Sequence, residues 1–371
     1  MKFAVIKNDS DPVRDRIAAA IERTCLAHGH ELGSPEEGVR FVLNLTGPDS
    51  PRSFRRRAQS VFVFSLVALA RPPESPQALR SLCYATLVRT LSNILLCAVP
   101  KHGPAANGGG PAYEMYFTTP EAGFYHVAFD PEKVYERIIP IAGARFAIAN
   151  RFSEDLPERF WRTSPVVERI KRGGNELDEL GVLPAPFDLH AVLSESSIRH
   201  IYKLFEMRSL SYGNLSARER VPELGETTFW MTARGVDKAH LSKIGWDILL
   251  VKGFDREAVQ ALVSVPPDHD PKVRVSVDAV EHELIYRTFP RVGAIVHVHA
   301  WMDGVLCTGQ NYPCGTIELA EDVVRLLART ERPERTAVGL RNHGLTITGP
   351  DLDEIFGRIR GRLRTEVEMM A

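Results

Sequence analysis

The order of apolar and polar residues predicts alternating strands and helices in the first third of the chain. Mainly apolar runs of strand length stand at residues 2–7, 39–45 and 60–69. Between the first two runs, the apolar positions of residues 11–28 recur with the period of a helix. A longer apolar stretch at residues 77–98 predicts a mostly buried helix. This alternation favours an α/β layer domain.

Further along, the first domain becomes more strand-like, and a segment with the composition of a linker follows it. Residues 115–117 and 124–129 have the pattern of strands, and a helix is predicted near residues 131–139. Glycine and proline are frequent at residues 172–186, which is typical of a linker. The length of 371 residues also exceeds one comfortable core. We predict an N-terminal α/β domain of unknown role at residues 1–165, a linker at 166–190 and a second domain at 191–371.

Composition and charge narrow the function classes. The hydrophobic content of 44% and the charged content of 25% are ordinary globular values, and the net charge of -1 gives no broad basic field for nucleic acid. The five cysteines form no Cys-x-x-Cys pair, which favours a reducing compartment. The longest apolar run, residues 61–70, is too short to cross a bilayer. We therefore expect a cytoplasmic protein that binds neither nucleic acid nor membrane.

A glycine-rich stretch at residues 107–111 invites comparison with a phosphate-binding loop. It lacks the Gly-Lys-Ser/Thr ending of such a loop and is not followed by an evident helix. We interpret it as a surface loop.

Three histidines form the strongest candidate site. His297 and His299 lie one residue apart in the apolar segment from Ala294 to Ala300, and His343 precedes Gly344. Alternate side chains of a strand share a face, so one strand offers two imidazoles to one ion. A catalytic zinc usually takes three protein ligands and keeps one open position. We predict a site for Zn²⁺ or another divalent transition metal, the alternative being buried, hydrogen-bonded histidines without an ion.

Four motifs in a fixed order carry a family resemblance. They are Gly213-Asn214-Leu215-Ser216, Thr232-Ala233-Arg234-Gly235, Ser276-Val277-Asp278, and the histidine segments at 297–299 and 343–344. With this order and spacing, residues from about 190 to 365 resemble the class II aldolase/adducin family. The resemblance implies an α/β/α sandwich around a mainly antiparallel sheet, a divalent metal on His297, His299 and His343, and a tetramer. It implies nothing for the first 165 residues.

The resemblance also implies a site for the anionic group of a substrate. The positions that match the family's turns and serine are Gly213, Asn214, Thr232, Gly235 and Ser276. Small residues let backbone N–H groups approach an anion closely, although each position alone has an ordinary reading as a turn or helix cap. Arg234 departs from the family pattern and adds a guanidinium that can hold a phosphate or a carboxylate with two hydrogen bonds.

Asp278 stands where the aldolases of the family carry a glutamate that transfers a proton. Its side chain is one methylene shorter, and an aspartate at this position is similar to the ribulose-phosphate 4-epimerase branch. The resemblance thus implies a catalytic Asp278, either as proton-transfer group or as a fourth metal ligand. The alternative is an ordinary acid in the first turn of a helix that begins near Val277.

Two residues between His299 and His343 are weaker candidates for the site. Tyr312 is a candidate substitute for the tyrosine that family members often carry in a C-terminal tail. Cys314 is expected to have a packing role, with a reactive thiol as the alternative.

Together these expectations favour a metal-dependent carbon–carbon lyase of retro-aldol type. Its substrate would be a small anionic hydroxy-carbonyl compound, such as a sugar phosphate or a hydroxy-oxo acid, and a metal ion would stabilise an enediolate. The same chemistry serves a 4-epimerase, a decarboxylase or a dehydratase of the family. An adducin-like, non-catalytic interaction module is the alternative from another class, and the complete histidine trio speaks against it. We expect a role in carbohydrate metabolism and a homo-oligomer.

Overall fold

The computed structural model divides the chain into two compact units. It describes residues 1–56, 58, 60–101, 112–121, 123–184, 189–204 and 211–371, so the glycine-rich stretch at 107–111 lies outside the described residues. Unit 1 comprises Met1–Ala144, Asp188–Ile201 and Met369–Ala371, and unit 2 comprises Arg145–Phe187 and Tyr202–Glu368. The boundary after Ala144 is about twenty residues earlier than the one that the sequence predicts.

Unit 1 contains a seven-stranded sheet. Its strands are β1 (Lys2–Lys7), β2 (Glu31–Leu32), β3 (Phe41–Leu45), β4 (Phe62–Ala68), β5 (Ile94–Pro100), β6 (Tyr113–Thr118) and β7 (Phe124–Ala128). They lie in the order β2-β1-β3-β4-β5-β6-β7. Pairing is parallel from β2 to β5 and antiparallel from β5 to β7. The strands predicted at residues 2–7, 39–45 and 60–69 therefore correspond to β1, β3 and β4 of this sheet.

Unit 2 contains a nine-stranded sheet that carries the histidines. Its strands are β8 (Ala149–Ser153), β9 (Asn214–Arg218), β10 (Phe229–Thr232), β11 (Ile248–Asp255), β12 (Gln260–Ser264), β13 (Ala294–Val298), β14 (Leu306–Cys307), β15 (Ala337–Leu340) and β16 (Gly344–Gly349). They lie in the order β14-β15-β16-β13-β9-β10-β11-β12-β8. The two edge pairs, β14 with β15 and β12 with β8, are parallel, and the pairs between them are antiparallel.

Helices accompany both sheets, which confirms the predicted α/β class. They are α1 (Pro12–Ala27), α2 (Pro76–Thr90), α3 (Pro131–Gly143), α4 (Pro165–Glu179), α5 (Leu189–Val192), α6 (Glu195–Leu204), α7 (Ala279–Thr288), α8 (Ile317–Leu327) and α9 (Leu352–Ile359). None of the helices in the described part of the chain has both the length and the apolar content that a membrane crossing requires.

Two neighbouring residues of β9 show that helices cover both faces of the unit 2 sheet. A Cβ atom placed on Gly173 of α4 would lie 3.2 Å from Leu215 and 3.1 Å from Phe356 of α9. The next residue, Ser216, points to the other face and hydrogen-bonds to the hydroxyl of Tyr286 in α7 at 2.7 Å. Since successive side chains of a strand alternate, α4 and α9 lie on one face and α7 on the other.

The apolar stretch at residues 77–98 is not one helix, and that prediction is wrong after Thr90. The α2 helix ends there because Leu91 adopts a left-handed backbone conformation with φ of 55°. The following run forms β5, whose residues from Ile94 to Val99 are all buried. A central strand covered on both faces is apolar throughout, so its pattern resembles that of a buried helix.

The predicted linker at residues 166–190 is largely occupied by α4, a helix of unit 2. Its glycines serve close packing: a Cβ atom on Gly174 would lie 1.9 Å from the carbonyl oxygen of Lys238. Helix α4 begins at Pro165, and the hydroxyl of Ser164 caps it by accepting a hydrogen bond from the backbone N–H of Val167 at 3.1 Å. The glycines at this position therefore allow a close helix contact and do not mark a flexible connection.

Candidate metal centre

The three histidines meet at one end of β13. His297 is the fourth residue of β13, His299 follows the strand, and His343 lies in the turn between β15 and β16. Because β16 pairs with β13, this turn returns to the histidine end of the strand. All three side chains are buried, their ring centroids lie 4.7–5.1 Å apart, and one nitrogen of each lies within 4.8 Å of the others.

The backbone of β16 fixes the protonation of His297. Its Nδ1 atom lies 3.0 Å from the carbonyl oxygen of Leu345, so in the neutral ring Nδ1 carries the proton and donates it to that oxygen. The Nε2 atom is buried and has no hydrogen-bond partner among the described residues. Metal-binding imidazoles usually donate the N–H of one ring nitrogen to a backbone carbonyl or a carboxylate. The lone pair of the other nitrogen then binds the ion.

His299 and His343 approach each other through their Nε2 atoms at 3.1 Å. Two ligand nitrogens on one tetrahedral zinc are separated by about 3.3 Å, as follows from zinc–nitrogen bonds of about 2.0 to 2.1 Å. Burial lowers the pKa of His297 and lowers that of His343 still further, so both rings stay neutral at neutral pH. Neutral imidazoles are the form that binds a cation, and the residues present therefore fit a divalent metal.

Asp278 lies beside the histidines and does not cap its helix. It occupies the position before α7 and is 5% exposed, and within the described chain its side chain makes no capping hydrogen bond. Its Oδ2 atom instead accepts a hydrogen bond of 2.6 Å from Nδ2 of Asn214. One carboxylate oxygen of Asp278 also lies within 4.8 Å of ligand atoms of His297 and Cys314. The position suits either of the two roles predicted for this acid.

The other predicted binding residues lie on turns around Asp278 and His297. A Cβ atom on Gly213 would lie 2.4 Å from the carbonyl oxygen of His297, and the φ of Gly213 is 74°, so only glycine suits this position. The hydroxyl of Thr232 accepts a hydrogen bond from the backbone N–H of Leu215 at 3.3 Å, and the carbonyl oxygen of Thr232 accepts one from Ser276 at 3.3 Å. The structure thus brings these three segments together.

Arg234 and Gly235 complete the turn after β10. Gly235 has a left-handed φ of 69°, and the backbone N–H of Arg234 donates to the carbonyl oxygen of Arg274 at 2.8 Å. The side chain of Arg234 is exposed. Its guanidinium therefore lies at the protein surface, unlike the buried Asn214 and Thr232.

Glu281 and Lys238 are two charged residues near the site whose burial the sequence did not indicate. Oε1 of Glu281 accepts a hydrogen bond of 2.6 Å from Thr346, and burial, reinforced by the charge of Asp278, raises the pKa of Glu281 to about 8. Nζ of Lys238 donates to the carbonyl oxygen of Ser211 at 2.5 Å, and burial lowers its pKa to about 8. In the sequence both stand in ordinary polar surroundings, so only the fold shows their burial.

Tyr212 and Cys314 are also closer to the histidines than the sequence predicts. The ring centroid of Tyr212 lies 4.9 Å from that of His299, whereas the sequence offered Tyr312 as the substitute for the family's C-terminal tyrosine. The Sγ atom of Cys314 lies 3.4 Å from Nε2 of His343. The thiol thus lies within hydrogen-bond distance of one of the three histidines.

Comparison with known proteins agrees with the motifs. Residues 197–309 match the family model of the class II aldolase and adducin N-terminal domain. Methylthioribulose-1-phosphate dehydratase of Klebsiella pneumoniae is 27% identical over 178 residues, which cover 40% of this chain and 79% of that protein. Among solved structures, an L-fuculose 1-phosphate aldolase has 18% identity and a TM-score of 0.35, with 54% of this chain and 83% of the other covered. An aldolase II superfamily protein from Pseudomonas syringae has 18% identity and a TM-score of 0.34, with 53% and 73% covered.

The family model lies within the segment of about residues 190–365 that resembles the class II aldolase/adducin family, so the resemblance predicted from the sequence is confirmed. Class II aldolases depend on a divalent metal, which agrees with the converging histidines of unit 2.

Proposed function

We propose that unit 2 is a divalent-metal-dependent lyase that cleaves a carbon–carbon bond, in the retro-aldol sense, in a small anionic hydroxy-carbonyl compound. The observation that carries the proposal is the convergence of three buried imidazoles, with Nε2 of His297 left without a partner among the described residues. A non-catalytic module has no physical need for such an arrangement, because a buried nitrogen without a partner costs stability.

Under this proposal, His297, His299 and His343 would hold Zn²⁺ or another divalent metal, whose Lewis acidity would stabilise negative charge on a substrate oxygen. Asp278 removes the proton of the substrate hydroxyl through the carboxylate oxygen that Asn214 does not engage. Asn214 holds the carboxylate in place. The buried surroundings of these side chains reduce competition from water for the reacting groups.

We assign the substrate's anionic group to the turns around Asp278. Gly213 and Gly235 have left-handed backbones that favour close approach of N–H groups to an anion, and Asn214, Thr232 and Ser276 surround the same region. Arg234, an exposed residue in the same turn as Gly235, would bind a phosphate or a carboxylate with two hydrogen bonds.

Dehydration is the second candidate reaction, and the match to methylthioribulose-1-phosphate dehydratase favours it. In that reaction a carbon–oxygen bond breaks, and Asp278 would move a proton from carbon in place of a hydroxyl proton. The metal site and the anion site would be used in the same way. The products distinguish the two reactions, since only retro-aldol cleavage releases an aldehyde fragment.

The test begins with the metal content of the purified full chain and its activity before and after treatment with a chelator. We then expect turnover of at least one compound in a screen of ketose phosphates and hydroxy-oxo acids that includes methylthioribulose 1-phosphate. An aldehyde trap and the mass of the product separate cleavage from loss of water. Protein that binds no divalent metal, or activity that survives complete chelation, would overturn the proposal. We further propose a homo-oligomer, a tetramer by resemblance, which light scattering tests.

A further inference from the structure

Cys314 lies in a turn that faces the histidine cluster. Its Sγ atom is 3.4 Å from Nε2 of His343, and Sγ lies within 4.8 Å of one ligand atom each of Asp278 and His297. The side chain is partly buried. The sulfur therefore lies beside the three imidazoles and shares His297 with a second group of candidate ligands.

The backbone holds this turn in place. Gly315 has a φ of 74°, and a Cβ atom on it would lie 2.5 Å from Ile148 and 3.0 Å from the carbonyl oxygen of Val277. The N–H of Ala147 donates to the carbonyl oxygen of Gly315 at 2.8 Å, and the hydroxyl of Thr316 donates to that of Pro313 at 2.8 Å. The absence of a side chain at position 315 thus lets the turn pack directly against the residue before Asp278.

The separation between Cys314 and His343 matches that of two ligands on one ion. Tetrahedral zinc with bonds of about 2.0 to 2.1 Å to nitrogen and about 2.3 Å to sulfur separates a nitrogen from a sulfur by about 3.6 Å. The observed separation of 3.4 Å between Cys314 and His343 is close to this value. Independently, the buried Nε2 atom of His297 has no hydrogen-bond partner within the described chain, so its lone pair is available to an ion.

We propose that Cys314 is a fourth protein ligand of the metal, bound as a thiolate alongside His297, His299 and His343. This inference rests on the proposed function. When the ion binds, the S–H bond gives up its proton to solvent and the sulfur lone pair forms the bond to the metal. The carboxylate of Asp278 is then not required as a ligand, and it remains available for proton transfer.

A thiolate ligand has two consequences for the site. Sulfur favours zinc and other softer ions over magnesium or manganese. A set of four protein ligands also closes the coordination sphere, so a substrate must either displace the sulfur or join as a fifth ligand.

Cobalt(II) provides a direct test, because its absorption reports both binding and ligand type. The full chain is treated with a chelator, freed of it and titrated with cobalt(II) alone. We expect visible d–d bands together with a near-ultraviolet sulfur-to-cobalt charge-transfer band. The variant Cys314→Ser should keep the d–d bands and lose the charge-transfer band. Cys307→Ser is the matched control, since Cys307 is partly buried but is not in either candidate ligand group, and it should retain both features.

The outcomes separate this inference from the function on which it rests. Wild-type protein that shows d–d bands without the charge-transfer band keeps its metal site and overturns the role of Cys314. A charge-transfer band that persists in Cys314→Ser overturns it as well. Protein that gives no cobalt bands at all overturns both the thiolate ligand and the proposed function. If Cys314→Ser fails to fold, absence of the band in the wild type still overturns the inference. A band that is kept in Cys307→Ser still supports it, since Cys314 is the only cysteine in the candidate ligand groups of the described residues.

Discussion

Asn214 and Asp278 are joined by a hydrogen bond of 2.6 Å between two buried side chains that are 64 positions apart in the chain. Asn214 begins β9 and lies opposite His297 in the pairing of β9 with β13. The bond therefore ties the acid before α7 to the strand beside the metal site. It engages only the Oδ2 atom of the carboxylate.

Replacing Asp278 by asparagine tests which of its two roles it fills. We expect Asp278→Asn to lower kcat by about 10²- to 10⁴-fold, because an amide of the same shape cannot accept the substrate proton. Metal content should remain that of the wild type. The measurements are elemental analysis and steady-state kinetics on one preparation. Loss of the metal together with activity would identify Asp278 as a ligand.

The histidine trio is tested by His297→Ala. We expect this variant to lose stoichiometric metal and all metal-dependent turnover, because it removes the nitrogen that the Leu345 carbonyl prepares for the ion. His240→Ala is the control, since that side chain is 82% exposed. Elemental analysis after gel filtration measures the metal. One full equivalent of metal on His297→Ala would contradict the assignment.

Gly213 is predicted to be intolerant of any side chain. In Gly213→Ala, the left-handed backbone should cost about 1 to 2 kcal/mol, and the new Cβ atom would meet the carbonyl oxygen of His297 at 2.4 Å. We therefore expect a lower free energy of unfolding and weaker metal binding. Gly357→Ala is the matched control: this helical glycine has no atom within 4 Å of its added Cβ among those described, and the change should stabilise by about 0.5 to 1 kcal/mol. Urea denaturation measures both variants, and equal behaviour would refute the steric argument.

Glu281 should make stability depend on pH. Burial raises its pKa in the folded protein to about 8, above the ordinary value of 4.5. The stability it contributes is complete below pH 4.5 and is lost as the pH rises through 8, because only the unfolded chain ionises readily. Glu281→Gln mimics the neutral acid, so it should become progressively more stable than the wild type between pH 5 and pH 8. The difference should grow by at most about 1.4 kcal/mol per pH unit.

The measurement for Glu281 is urea unfolding of chelator-treated wild type and variant at several pH values. A difference in unfolding free energy that stays constant across this range would show that Glu281 ionises at an ordinary pH in the folded protein.

The histidine cluster could be predicted from the sequence, because strand geometry and the family motifs are enough to identify its members. Strand alternation places His297 and His299 on one face, and the resemblance supplies His343 and Asp278. The position of Cys314 could not be predicted in this way. It depends on the packing of Gly315 against Ile148, a residue that is far away in the chain, and no periodic pattern records such a contact.

The two wrong predictions about the fold also have physical causes. Glycines at 173 and 174 suggested a linker, whereas they allow α4 to approach Lys238 and Phe356 closely. The run at residues 94–99 suggested a helix because a strand buried on both faces has no polar positions to reveal its period. In both cases tertiary contacts decide which element the residues form, and these contacts cannot be seen in the composition of the segment.

Strand β8 determines how far unit 2 can be shortened. It pairs with β12 from Ala149 to Ser153, although it lies before the segment that matches the family model. A truncated version that starts near residue 190 would leave β12 as an open edge, with backbone N–H and C=O groups available to another molecule. Such a fragment is expected to aggregate, so a minimal version for crystallisation or enzyme assays should begin before Ala149.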